Sequence, residues 1–407
     1  MNKGFFIILI AQFFSALGDN ALLFAAISLL NSLAAPTWQI PILQQSFVFA
    51  FIFLSPFVGA ISDALPKGQV MFISNSIKIF GCITMLIGLH PLIAYGFVGV
   101  GAAIYSPAKY GILTECLPSE RLVWANSWME GLTVASVIFG AIIGGLLIGN
   151  HLNMPLWITE ISSQLFANQS QPKLAILFIL VLYLIAALFN IFIPHLPIER
   201  ALKKINIREL ILDFWNGFVL LWKDPLGQVS LAVTTLFWGA GTTLRFIILA
   251  WAATSLNLDI EHSTQLTALV AVGLAIGSIF AANYVTLNHS VRVLPLGIIM
   301  GLVVLSMIWV NNFWLAVIML LIIGILAGTF VIPMNALLQH RGHLLMGSGH
   351  SIAVQNLNEN ISILLMLGGY ALMLKAELST NNIIVIFGLF IAFAMGILTR
   401  FHGHDQD

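Results

Sequence analysis

The stretch QFFSALGDNALLF, residues 12 to 24, sets a carboxylate, Asp19, and a carboxamide, Asn20, inside a run that is otherwise apolar for about 25 positions, more than the roughly 20 helical residues that cross a bilayer core. A charge at that depth is costly unless the protein supplies a partner or a polar cavity. The rest of the chain has the same character. Of its 407 residues 59% are hydrophobic and only 8% charged, with a mean hydropathy of +1.00, far outside the composition of soluble domains. Apolar stretches recur from residues 5 to 30 through 382 to 400, and they predict an all-α polytopic membrane protein with 12 transmembrane helices. The first stretch is too long for a cleaved signal peptide, and no small-residue cleavage site closes it.

Net charge is zero, so composition points to neither nucleic acid nor an acidic partner. With the N-terminus inside, Lys3, Lys67, Arg121, Arg200, Lys203, Lys204, Arg208, Lys223, Arg292, Arg341 and Arg400 fall on the cytoplasmic side, and only Lys173 and Lys375 on the outer side. This bias follows the positive-inside rule and places both termini in the cytoplasm. It leaves Lys78, Lys109 and Arg245 within spans, beside the acids Asp19, Glu130 and Glu359. Equal numbers imply mutual pairing in the protein interior, because a charge facing lipid costs about 3 kcal/mol or more. Cys82 and Cys116 imply no disulfide framework, and the ten histidines form no metal cluster, so neither a metal nor a cofactor is expected. His402 and Asp407 have the spacing of an acyltransferase HxxxxD motif, but they lie in a polar tail with no following domain and read as a frayed end.

The longest polar stretch between spans, PHLPIERALKKINIRELILDFWNGFVLLWKDP at 194 to 225, divides the chain into an N-terminal six-helix bundle at 1 to 193 and a C-terminal one at 226 to 407. Ile207, Leu210, Ile211, Phe214, Phe218 and Leu221 recur within this linker at three- or four-residue steps, the pattern of an amphipathic helix along the cytoplasmic membrane surface. The two halves also repeat. YSPAKYGILTE at 105 to 115 aligns with VIPMNALLQHR at 331 to 341, an offset of 226, and FSALG at 14 to 18 aligns with FWGAG at 237 to 241, an offset of 223. Similar offsets at two places indicate duplication, and hence two bundles related by an axis along the membrane normal with a cavity between them.

GAISDALPKGQ at 59 to 69 resembles the signature loop of the major facilitator superfamily, with Gly59, Asp63 and Lys67 in place and Gln69 where a second cation belongs. The corresponding loop of the second half, near 277 to 292, lacks the pattern. GDNALLF, SPAKYGIL, FWGAG with TLRF, IPMNALLQ and AVQNLNEN, in that order over almost the whole chain, resemble the bacterial lysophospholipid transporter branch. The resemblance implies a monomeric flippase that moves lysophosphatidylethanolamine and related lysolipids from the outer to the cytoplasmic leaflet of the inner membrane. It also implies a separate cytoplasmic acyltransferase that reacylates them. Two departures stand out. The outer segment from His151 to Lys173 is longer than this branch implies, and GAIIGG at 140 to 145 resembles an antiporter motif with Ala141 where proline belongs. Close packing of small residues explains those glycines without an exchange mechanism.

Helical spacing places the polar groups. Gln12, Ser15 and Asp19 form one stripe of the first span, and Thr234, Trp238, Thr242 and Arg245 form another on the seventh. At about 1.5 Å per residue Asp19 and Arg245 lie roughly 20 to 30 Å from the cytoplasmic ends of their helices. They are expected to receive the head group there, and to pair with each other without substrate. Lys109 and the stripe Asn126, Glu130, Thr133 lie nearer the cytoplasm, where Lys109 and Glu130 are expected to pair at the exit. Gln355, Glu359 and Ser362, with Asn356 beside them, form a third stripe near mid-membrane. Lys78 is read as an ion pair that holds helices together, and Asp63 with Lys67 as a gate. Asp63 would accept hydrogen bonds at the amino end of the eleventh span, near Gly347 to Gly349. Two rival readings remain open: a proton-coupled exporter of amphipathic drugs, with Asp19 and Glu359 as proton carriers, and a membrane-embedded acyltransferase, which lacks a well-placed nucleophile and base.

Overall fold

A computed structural model describes residues 3–35, 39–148, 170–194, 206–258 and 260–402. Most of the outer segment 151–173, the linker cations Arg200, Lys203 and Lys204, and Asp407 of the tail lie outside the described residues. Among the described residues there are α-helices and short 3₁₀ turns, and no strands. Helices α1 (Lys3–Ser32), α2 (Gln39–Ala64), α3 (Lys67–Leu86), α4 (Pro91–Cys116), α5 (Leu122–Ile148) and α6 (Ser170–Ile191) precede a shorter α7 (Ile207–Lys223). Then come α8 (Pro225–Ser255), α9 (Ile260–Tyr284), α10 (Pro295–Leu305), α11 (Phe313–Met346), α12 (Ser348–Lys375) and α13 (Thr380–His402). Among the described residues twelve segments are long and apolar enough to cross a membrane, the ninth being Leu287–Trp309, where 3₁₀ turns extend α10 at both ends. Pro107 and Pro333, aligned by the repeat, both sit inside long helices. Membrane helices tolerate this because neighbouring groups satisfy the freed backbone.

Packing divides the chain into two compact units. The first comprises Met1–Cys116, Ala135–Phe214 and Gly347–Ala353. In it α1 and α3 both pack on α6, and α2 and α3 both pack on α4. Its centre is apolar, built from residues such as Leu22, Ala25, Leu43, Met85, Val98 and Ile179, with Tyr183 among them.

The second unit comprises Leu117–Val134, Trp215–Met346 and Val354–Asp407. Its tightest pair is α9 against α11, and the sequence explains why. Gly273 and Gly277 on one helix, and Gly324 and Gly328 on the other, let the backbones meet: a Cβ on Gly273 would run into the Leu321 carbonyl, and one on Gly324 into that of Val270. Lipid offers no hydrophobic drive to bring helices together, so small residues four apart act by allowing this close approach. Gly297 and Gly301 of α10 do the same against Met395 and Ala392 of α13.

Helix α7 refines the expected amphipathic linker. Phe214, Gly217 and Leu221 are buried, and Leu210 and Phe218 partly so, whereas Ile207 and Ile211, expected on the same face, are exposed. With Trp215, stacked on Phe218 at 4.9 Å between ring centroids, they make an apolar ridge beside the buried face. Such a ridge, with Arg208, Glu209, Asn216 and Lys223 elsewhere on the helix, suits a headgroup interface.

Candidate functional site

The polar residues gather into separate clusters. At the α2–α3 turn, Asp63 and Lys67 form an ion pair of 2.9 Å whose side chains are 0% and 2% exposed. Lys67 Nζ also donates to the Ser62 carbonyl at 2.8 Å and pairs with Glu115 at 3.0 Å, while Ser348 donates to Glu115 at 3.2 Å. The Asp63 carboxylate receives more. The backbone N–H of Gly349 reaches Oδ1 at 2.6 Å, that of His350 reaches Oδ2 at 3.1 Å, and His350 Nδ1 lies 2.6 Å from Oδ2. Those amides are the unsatisfied first donors of α12, so the carboxylate caps the helix from another element and meets the positive end of its dipole. One residue makes this possible. Gly347, with φ +99°, turns the chain between α11 and α12 in a conformation that L side chains rarely adopt. On its far side His350 Nε2 faces Asp213 of α7 at 3.1 Å. The hydrogen bonds expected of Asp63 at this helix N-terminus are thus present; His350, Glu115 and Asp213 are additions that no sequence pattern marked.

Asp19 sits in a second cluster. Its Oδ2 takes the Lys78 ammonium at 2.7 Å and its Oδ1 the Tyr183 hydroxyl at 2.8 Å. Lys78 also donates to Ser15 Oγ at 3.0 Å, and Ser15 donates to Asn75 at 2.8 Å. The Tyr183 ring can come this close because Gly18 lacks a Cβ, which would stand 2.7 Å from its edge. Asn20 bonds back to the Ala16 carbonyl at 2.8 Å, so its amide serves its own helix. Lys78 therefore forms an ion pair between helices, and its partner is Asp19. Tyr183 escaped sequence reasoning, although a lone hydroxyl in an apolar span has to find a partner when buried.

In the second unit Gln355 Nε2 donates to Asn335 at 3.0 Å and to Glu359 at 2.7 Å, one turn along the same helix. Glu359 and Asn356 are buried. Asn126 and Gln339 exchange two hydrogen bonds of 2.8 Å each, a reciprocal pair of carboxamides that satisfies both buried groups without charge. Glu130 is buried on α5, and in the first unit Lys109 is buried with its ammonium 4.4 Å from the Tyr110 ring centroid. The stripe on α8 runs from buried Thr234 to exposed Arg245, which makes no ion pair among the described residues. Where α8 begins, Asp224 caps Gly227 N at 2.8 Å and accepts two hydrogen bonds from one guanidinium edge of Arg341, from Nη2 and from Nε at 3.0 Å. Burial opposes the charge of Asp224, but these bonds and the guanidinium outweigh it and hold its pKa below the usual carboxylate value of 3.8. Among the described residues no group of three histidine, cysteine or acidic side chains could hold a metal.

Residues 8–357 match the family model described as Major Facilitator Superfamily. The chain belongs to that superfamily. Two curated relatives named Lysophospholipid transporter LplT, from Yersinia pestis (strain Pestoides F) and Yersinia pseudotuberculosis serotype O:3 (strain YPIII), are each 43% identical to it over 376 residues. The alignments cover 92% of this chain and 88% of theirs, and place this facilitator in their branch. Solved structures agree on the fold. The transporter FucP in its outward conformation superposes with a TM-score of 0.75 at 13% identity, covering 98% of both chains. A bacterial homologue of the iron transporter ferroportin, outward-facing, gives 0.74 at 16% identity, covering 99% of this chain and 100% of the other. The facilitator fold arranges its 12 spans as two six-helix bundles.

Proposed function

We propose that this facilitator flips lysophospholipids, lysophosphatidylethanolamine above all, from the outer to the cytoplasmic leaflet of the bacterial inner membrane, where a separate acyltransferase restores the second chain. The observation that carries the reading is the 43% identity, over 92% of the chain, to relatives named as lysophospholipid transporters. The residues suit the cargo. Arg245 offers a permanently charged planar fork for the phosphate, and being exposed and unpaired among the described residues it is available. The 22%-exposed carboxylate of Asp19 can accept hydrogen bonds from an ethanolamine ammonium, whereas choline offers only methyl groups. Lys109, Glu130, Gln355, Asn356 and Glu359 supply further polar contacts along the path, with Asn20 beside Asp19. Gly59, Asp63 and Lys67 act in gating. The protein works as a monomer, with bundles at 1 to 193 and 226 to 407, a linker at 194 to 225, and both termini cytoplasmic.

Uptake of labelled lysophosphatidylethanolamine into proteoliposomes, with and without imposed ion gradients, tests the function. Accumulation above protein-free vesicles supports it. No uptake under any gradient defeats it, and proton-driven movement of cationic amphiphiles instead would establish a drug exporter. Labelling of an engineered cysteine at position 204 from outside intact cells would contradict the topology.

A further inference from the structure

Lys78 is wholly buried on α3, with Nζ 2.7 Å from Asp19 Oδ2 and 3.0 Å from Ser15 Oγ. The rings of Tyr105 and Tyr183 stand 5.0 and 5.5 Å from that ammonium. Its stem crosses Gly101 of α4, where a Cβ would come within 2.7 Å of Lys78 Cγ. The lysine is thus built into the α3–α4 packing and cannot swing out to meet a ligand. A carboxylate and two aromatic rings thus surround one ammonium. Asp19 differs, because 22% of its side chain is exposed while that of Lys78 is 0% exposed. Lys78 and Tyr183 take one site on each carboxylate oxygen, and a carboxylate offers about four, so the exposed edge keeps room for a donor from outside.

We infer that Lys78 sets head-group selectivity as a fixed counter-charge to Asp19, so that anionic lysophospholipids are admitted as well as zwitterionic ones. The inference rests on the lysophospholipid reading and deepens it. A bare carboxylate attracts an ethanolamine ammonium but repels a head group whose phosphate charge is uncompensated, as in the glycerol form. With an ammonium against its far side, Asp19 presents a dipole, whose field fades faster with distance than that of a charge. It still accepts a local hydrogen bond from an ammonium and no longer rejects an anion. For a phosphate ~7 Å away, at an effective dielectric constant of ~20, unmasking one negative charge changes relative affinity by on the order of tenfold or more. Lys78 acts through Asp19, as a positioning residue, and need not touch the lipid.

The test compares lysophosphatidylethanolamine and lysophosphatidylglycerol of one acyl chain in proteoliposomes containing matched amounts of folded protein. Wild type, Lys78→Met, Lys78→Arg, Asp19→Asn and the double variant Lys78→Met with Asp19→Asn are assayed for the ratio of apparent KM values for the two lipids. In Lys78→Met the ratio should turn against the glycerol form by about tenfold, while Lys78→Arg keeps the wild-type ratio. The double variant should return near the wild-type ratio, since neither charge remains. Equal scaling of both lipids in Lys78→Met, or a skewed ratio persisting in the double variant, would overturn the inference and leave Lys78 a structural ion pair. Should Lys78→Met fail to fold, Asp19→Asn against the double variant isolates the lysine charge: about a tenfold difference in ratio supports the inference, and equal ratios overturn it. Wild type that takes up neither lipid refutes the function itself. Wild type that takes up both, with a ratio indifferent to Lys78, refutes only the role of the lysine.

Discussion

Two intramembrane charges, Asp19 in the first half and Arg245 in the second, are kept in opposite states. In the first, both oxygens of Asp19 are engaged, by Lys78 and Tyr183, and the cluster continues through Ser15 to Asn75. In the second, Arg245 is exposed and makes no ion pair among the described residues. A charge already satisfied by its neighbours contributes to stability as well as to any ligand, and its loss strands a partner. One left open contributes to the ligand alone. Similar sequence is also packed differently: FSALG and FWGAG align, yet Gly18 is pressed against Tyr183 while a Cβ on Gly241 would meet nothing within 4 Å.

The contrast can be broken by measurement. The largest expected effect is in the first half: Lys78→Ala leaves the Asp19 carboxylate without its cation and should cost about 3–5 kcal/mol of stability, read as a large drop in melting temperature in detergent. Equal melting temperatures would mean the pair holds nothing. Arg245→Ala should instead leave melting within about 0.5 kcal/mol of wild type yet slow uptake of every lysophospholipid by on the order of tenfold to a hundredfold, the worth of a charge-assisted contact. If it unfolds the protein, the second half is no freer than the first. Tyr183→Phe removes one hydrogen bond to an ionised group and should cost about 1.5–3 kcal/mol, with the effect largely absent in an Asp19→Asn background.

The smallest effect belongs to the Asp224–Arg341 pair. Arg341→Lys loses the fork and should cost about 1 kcal/mol, readable by thermal melting near neutral pH. The folded pKa of Asp224 lies below its unfolded value of 3.8, so its contribution is complete above that pH and vanishes as pH falls through the folded value. The melting difference between wild type and Asp224→Asn should accordingly shrink on acidification below about pH 4, and a difference that grows would reverse the assignment.

How far the sequence disclosed all this depends on the range of the interaction. Spans were legible because each needs only its own apolar run, and the capping of Gly349 by Asp63 because a helix N-terminus attracts any nearby carboxylate. The partner of Asp19 was not legible. Lys78 is 59 positions away, and helical periodicity says which face a residue occupies but not which helix stands opposite. Arg245, equally intramembrane, was the natural candidate, yet the carboxylate is already engaged by a lysine and a tyrosine. On α7 the spacing identified an apolar sector but not that the protein covers only part of it, leaving Ile207 and Ile211 exposed.

The corner at Gly347 has an evolutionary consequence. Only this residue separates a helix of 34 residues from one of 28, so no slack exists to absorb an insertion or deletion. One residue more or less would turn α12 by about 100° and slide it by about 1.5 Å relative to α11. Chain length at this corner is therefore more tightly constrained by geometry than the identity of exposed residues along the two helices.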